Sequence, residues 1–183
     1  MKDKGKLLIL LLVGSETFFF ISLIIAYVYY RNFTNTVDTV AHTLDATRAG
    51  IFTLFLIASS VTLIVAKNAL KKDNRKRFKI FLVLTVLLGV IFISGQIGEY
   101  IGLYKKQITL DSDVFGSSFF TLTGFHGLHV ILGLIALTII FLLSIGKMER
   151  VGVAAFSGMD VYWHFVDVVW IFVFYFVYIM PLL

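Results

Sequence analysis

The stretch Ile80-Phe-Leu-Val-Leu-Thr-Val-Leu-Leu-Gly-Val-Ile-Phe-Ile-Ser94 decides the class of fold. No charge interrupts it, and only Glu99 follows before Gly102. A helix crosses the hydrocarbon of a bilayer with about 20 mostly apolar residues, so this run is long enough to span. Four other segments read the same way, which places approximate spans at 7–30, 49–70, 78–102, 114–146 and 159–183. Glu16 is the only charge in the first, and His164 and Asp167 lie inside the last. The fourth is longer than one crossing needs, so its Ser/Gly-rich start reads as interfacial or as a sign of tilt. The first 25 residues do not read as a signal peptide, because the apolar run is too long and no small-residue cleavage site follows.

The whole chain agrees. Its 183 residues are 59% apolar and only 15% charged, and the mean hydropathy is +0.95. A soluble domain carries about 25% charged residues. The expected class is therefore an all-α polytopic membrane protein, a single five-helix bundle. There is no cysteine, which removes disulfides, thiolate metal sites and cysteine nucleophiles.

Charge sets the expected orientation. Twelve of the sixteen lysines and arginines fall in the N-terminal tail (Lys2, Lys4, Lys6), the loop from Lys67 to Lys79, and the loop holding Lys147 and Arg150. Only Arg31, Arg48, Lys105 and Lys106 fall on the other side. The positive-inside bias puts the N-terminus in the cytoplasm and the C-terminus outside. The net charge of +5 then reads as topology and not as nucleic-acid binding. Tyr27, Tyr29, Tyr30, Tyr100, Tyr104, Tyr175 and Tyr178 read as an outer aromatic belt, with Tyr162 and Trp163 near the inner end of span five. Asp111, Ser112 and Asp113 offer caps for span four, and Ser157 with Asp160 resembles a capping box opening span five.

Few ionisable groups lie at membrane depth, and each requires a partner, a cavity or a neutral form. They are Glu16, Glu99, His126, His129, His164 and Asp167; His42 falls in an outer loop and Asp160 at the inner interface. His126 and His129 share one helix face, and so do Asp160, His164 and Asp167. At about 1.5 Å per residue, Asp167 lies roughly 15 Å beyond Ser157 and His129 roughly 18 Å beyond Ser117. A His129–Asp167 contact between adjacent spans is thus within reach. Three readings remain open: a polar clasp between helices, a proton or lipid-headgroup role, and metal or haem ligation. Glu16 reads as a neutral acid packed between helices or as a carboxyl facing a lipid cleft or partner subunit. Glu99 reads as a headgroup-level charge. Gly98 and Gly102, with Gly124 and Gly127, are expected to let helices approach closely, as is the row Ala58, Thr62, Ala66.

Two longer stretches say more. Gly116-Ser-Ser-Phe-Phe-Thr-Leu-Thr-Gly-Phe-His-Gly-Leu-His-Val130 and Tyr162-Trp-His-Phe-Val-Asp-Val-Val-Trp170 resemble signatures of subunit III of the haem–copper cytochrome oxidases. Ser15-Glu16-Thr-Phe-Phe-Phe20, Gln96-Ile-Gly-Glu99-Tyr100 and the turn Asp73-Asn74-Arg75-Lys76 are similar to further elements of that family, in the same order. The resemblance covers about residues 8 to 180, and it is to the five-helix bacterial form. The first two helices of the seven-helix form are expected to be missing, so the lipid cleft they border is not carried over; a neighbouring subunit's helices are candidates for that place.

The resemblance implies a non-redox structural subunit of a proton-pumping terminal oxidase in a bacterial inner membrane. It implies no cofactor in this chain, haems and copper in partner subunits, and bound phospholipid. The implied partners are subunit I directly, subunit II, and further small subunits or a respiratory supercomplex. Glu16, Glu99, His126, His129, His164 and Asp167 are then assigned to helix clasping and to the boundary with subunit I or lipid. The alternatives are an accessory subunit of a nitric oxide reductase, an independent proton-coupled transporter using Glu16 and Asp167, and a b-type cytochrome using His129 and His164. The transporter is disfavoured because no inverted repeat or mid-span helix break is visible.

Overall fold

A computed structural model describes residues 2–33, 44–145 and 153–182, with side chains from Leu7 and from Phe156 in the first and last stretches. Five long helices cover the five apolar segments: α1 Lys2–Phe33, α2 Ala46–Lys71, α3 Arg75–Lys105, α4 Val114–Ile145 and α5 Val153–Phe174. Each is long and apolar enough to cross a membrane. Beyond α5 the backbone widens into a π-turn over Tyr175–Ile179 and then tightens over Met180–Leu182, where Pro181 brings no N–H for a further bond.

The helix ends follow side-chain chemistry. Asp45 accepts from the Arg48 N–H at 2.9 Å to start α2. Asn74 does the same for α3 through Arg77 at 3.1 Å, and Asp113 for α4 through Gly116 at 2.6 Å. Such caps satisfy N–H groups that a helix start leaves orphaned. The α2–α3 turn requires a left-handed residue, and Asp73 supplies it at φ 54°; aspartate tolerates this conformation better than most.

Packing gives a ring of four with one helix outside. Contacts join α2 to α3, α3 to α4, α4 to α5 and α5 to α2, while α1 packs on α4 and α5. The core is apolar and aromatic, with Phe78, Phe92, Phe115, Phe119, Phe156 and Trp163 fully buried. The outer shell is also apolar: Leu8, Phe18 and Ile25 of α1 are 67%, 78% and 62% exposed. Side chains of that kind are at home in lipid, where helices satisfy their own backbone and show no polar surface.

Several local expectations are corrected. Helix α5 starts at Val153, so Ser157 and Asp160 lie within the helix and form no capping box at its start. Tyr27, Trp163 and Tyr178 are buried core residues, whereas Tyr29, Tyr30, Tyr104 and Tyr175 are exposed as a belt requires. Gly102 borders open space, and Gly98 faces the Arg48 guanidinium, so neither brings two helix backbones together. Gly124 and Gly127 do face α3, at ordinary distance from Tyr100 and Gln96. The tight contacts belong instead to Gly89 and Gly133, which both take the Trp163 ring, and to Gly95, which takes Phe52. The expectations for His42, Lys147 and Arg150, and for the side chains of Lys2, Lys4 and Lys6, fall outside the described residues.

Candidate functional site

The ionisable groups at membrane depth sit on the helix faces that meet other helices. Glu16 reaches from α1 to α4, where its Oε2 lies 3.2 Å from His129 Nε2. The other ring nitrogen, Nδ1, lies 2.7 Å from the Phe125 carbonyl. That carbonyl only accepts, so Nδ1 carries a proton. Tyr162 of α5 donates its O–H to the His129 carbonyl at 3.1 Å, and the Phe20 ring stands edge-on 5.0 Å from the imidazole. Three helices thus converge on one residue of the Gly116–Val130 motif.

A second polar string joins α2 and α5. Lys67 Nζ bonds Asp160 Oδ2 at 2.5 Å, and Asp160 Oδ1 lies 3.6 Å from His164 Nε2. His164 Nδ1 lies 2.9 Å from Ser60 Oγ, and Ser60 in turn donates to Asp167. Alongside this string the two tryptophans of α5 donate to α2, Trp163 to Ser59 at 3.1 Å and Trp170 to Thr53 at 2.9 Å.

Helix α3 is tied similarly. Thr85 meets Thr62 of α2 at 2.8 Å. Gln96 donates to the Thr123 carbonyl at 3.2 Å, and Tyr100 meets the Thr123 hydroxyl at 2.7 Å. Glu99 accepts the Tyr178 O–H at 2.6 Å. Arg31, 6% exposed at the end of α1, reaches the Phe176 carbonyl at 3.4 Å. These bonds are buried or part-buried, and leaving a buried polar group unpaired costs about 1–3 kcal/mol.

His126 differs from the others. It is fully buried, and neither ring nitrogen has a hydrogen-bond partner. Its surroundings are aromatic, with Trp170 at 4.8 Å, Phe92 at 6.1 Å and Phe20 at 6.4 Å.

Three sequence readings change here. His129 meets Glu16, not Asp167, because depth along two helices does not fix which way their faces turn. Asp160 is a buried ion-pair partner 5% exposed, not a helix-start residue. Glu99 is bonded to Tyr178 and is not simply a charge at headgroup level. Sequence reasoning also missed Thr53, Ser59 and Ser60. Thr53, Ser60 and Lys67 recur at seven-residue steps along a mostly apolar span, which marks one helix face. Among the described residues, no three histidine or acidic side chains form a set able to hold a metal ion.

The profile of the cytochrome c oxidase subunit III family matches residues 2–181. The chain belongs to this family. It is 42% identical over 132 residues to cytochrome c oxidase subunit 3 of Corynebacterium diphtheriae, covering 72% of this chain and 64% of that one. The protein of the same name from Osphranter robustus is 35% identical over 177 residues, 92% of this chain and 66% of that one. That from Bacillus subtilis is 33% identical over 172 residues, covering 93% and 83%. The chain therefore spans about two thirds of the length of the first two relatives. The subunit III resemblance read from the two long motifs is borne out, and His129 and Tyr162, one from each motif, are bonded to each other's helix.

Proposed function

We propose that this chain is the non-redox subunit III of a proton-pumping haem–copper terminal oxidase, the complex reducing oxygen to water. The observation that carries the reading is the family match over nearly the whole chain. In this reading the chain packs directly against subunit I and stands beside subunit II in a bacterial plasma membrane. Further small subunits or a respiratory supercomplex extend the assembly. The haems and copper reside in the partner subunits, and phospholipid binds this one.

The geometry suits a structural role. Glu16, His129, His164, Asp167 and Glu99 are each engaged by a neighbouring helix, so their side chains hold the bundle in register. Helix α1 adds an apolar outer face that suits a lipid or subunit boundary, and the Glu16–His129 pair lies under it. The chain supports proton uptake and working lifetime of the oxidase by keeping that boundary closed. The basic α2–α3 turn faces the cytoplasm and the C-terminus faces outside.

Mass spectrometry of the intact complex purified through this chain tests the proposal. A haem- and copper-bearing oxidase large subunit is the expected companion. A nitric oxide reductase catalytic subunit in its place, or an active homo-oligomer of this chain alone, overturns it.

A further inference from the structure

At the end of the bundle where α3 meets the α3–α4 connection, α2, α3 and the π-turn enclose a cavity of about 220 Å³. At about 30 Å³ per water molecule it is far larger than a single hydration site. Its wall combines two cations, Arg48 and Lys106, with two acids, Asp45 and Glu99. One acceptor atom of a lining residue is buried without a partner, Glu99 Oε1. A buried acceptor in that state calls for a donor from outside the chain. Gly98 and Gly102 also line it. A side chain at Gly102 would meet nothing within 4 Å, so this glycine keeps space open and does not serve helix packing.

We infer that this cavity binds a phosphorylated primary amine, with the ammonium on Glu99 and the phosphate on Arg48 and Lys106. The unpartnered carboxyl oxygen takes a donor, and a primary ammonium supplies N–H groups with the opposite charge where a trimethylammonium has no N–H to give. The guanidinium is suited to phosphate because its planar fork gives paired, charge-assisted bonds. A lone metal cation does not fit a wall that already holds two fixed positive charges. The same chemistry occurs in an ethanolamine phospholipid headgroup and in free phosphoethanolamine. The site is built wholly from this chain, so the inference does not depend on which catalytic subunit the chain joins.

The complex containing this chain is exchanged into nanodiscs of phosphatidylethanolamine, phosphatidylcholine or phosphatidylglycerol, and bound lipid is counted by native mass spectrometry. Wild type should retain one ethanolamine lipid per chain, at least tenfold more tightly than the choline lipid. Gly102→Leu fills the space without a backbone clash and should abolish that retention. Glu99→Gln should assemble and lose the preference for ethanolamine over choline. Free phosphoethanolamine added to the complex distinguishes the sources: displacement of the lipid assigns the site to the headgroup chemistry itself, and both lipid and free compound binding support the inference. Equal retention in wild type and Glu99→Gln, a preference for choline or glycerol headgroups, or no retained lipid together with no binding of free phosphoethanolamine overturns it. The Glu99→Gln and Arg48→Gln variants keep the test decisive if Gly102→Leu does not assemble.

Discussion

His129 Nε2 lies 3.2 Å from Glu16 Oε2, and this contact joins the outer helix α1 to the ring of four. With Arg31 on the Phe176 carbonyl at the far end of α1, this pair helps set its register. His129→Ala should loosen α1 by about 1–2 kcal/mol, the scale of a partly buried charged hydrogen bond. The expected result is faster protease cleavage near α1 and a shorter activity lifetime of the complex, with unchanged haem spectra. Glu16→Gln keeps a hydrogen-bonding partner for the imidazole and should leave assembly intact. Loss of a haem or copper signal from the assembled His129→Ala complex would refute the clasp role.

Ser60 carries two bonds at once, from His164 and to Asp167. Ser60→Ala removes both and leaves the buried Asp167 carboxyl without this donor. The cost should be about 1–3 kcal/mol, read as an earlier unfolding transition in detergent. Asp167→Asn retains an acceptor and should be milder.

Lys67 and Asp160 form an ion pair with 26% and 7% of their side chains exposed. Removing one partner of a buried pair costs about 3–5 kcal/mol, and the exposure of Lys67 brings the expectation nearer 2 kcal/mol. Lys67→Met should destabilise the chain, and pairing it with Asp160→Asn should recover part of the loss. A double-mutant cycle on thermal stability measures the coupling.

Gly89 and Gly133 both border the Trp163 ring, Gly89 at Cη2 and Cζ2 and Gly133 at Cε3 and Cζ3, and a side chain at either would meet it closely. Gly89→Ala and Gly133→Ala should each cost about 1–3 kcal/mol through overpacking. Gly102→Ala should be neutral within about 0.5 kcal/mol. Thermal stability by size-exclusion chromatography ranks the three.

The chain has no cysteine, so single introduced thiols report sidedness without background. Asp73→Cys in the α2–α3 turn should label only from the cytoplasmic face, and Asp111→Cys only from outside. The reverse pattern would invert the proposed orientation.

The helices were legible because hydrocarbon allows few charges, and runs such as Ile80–Ser94 have no other use. The cap of α4 was legible only to within a residue or two: Asp111, Ser112 and Asp113 all suit the place, and Asp113 is the one that takes the Gly116 N–H. Rotation about the helix axis was not. His129 and Asp167 match in depth, but their partners are Glu16 and Ser60, and that depends on how four helices close into a ring. Serines were overlooked because Ser59 and Ser60 look unremarkable in an apolar run until a tryptophan, a histidine and an aspartate arrive from α5. The Gly98/Gly102 pair misled for the converse reason: its spacing suits helix contact, yet it faces the Arg48 side chain and a cavity and not a packed backbone.

The chain contains two tryptophans, both buried, both on α5 and both bonded through their indole N–H to α2. Their emission is therefore a built-in gauge of the α2–α5 seam. An event that parts these helices and admits water frees both indole N–H groups from α2 together, so a red shift reports it with no label attached.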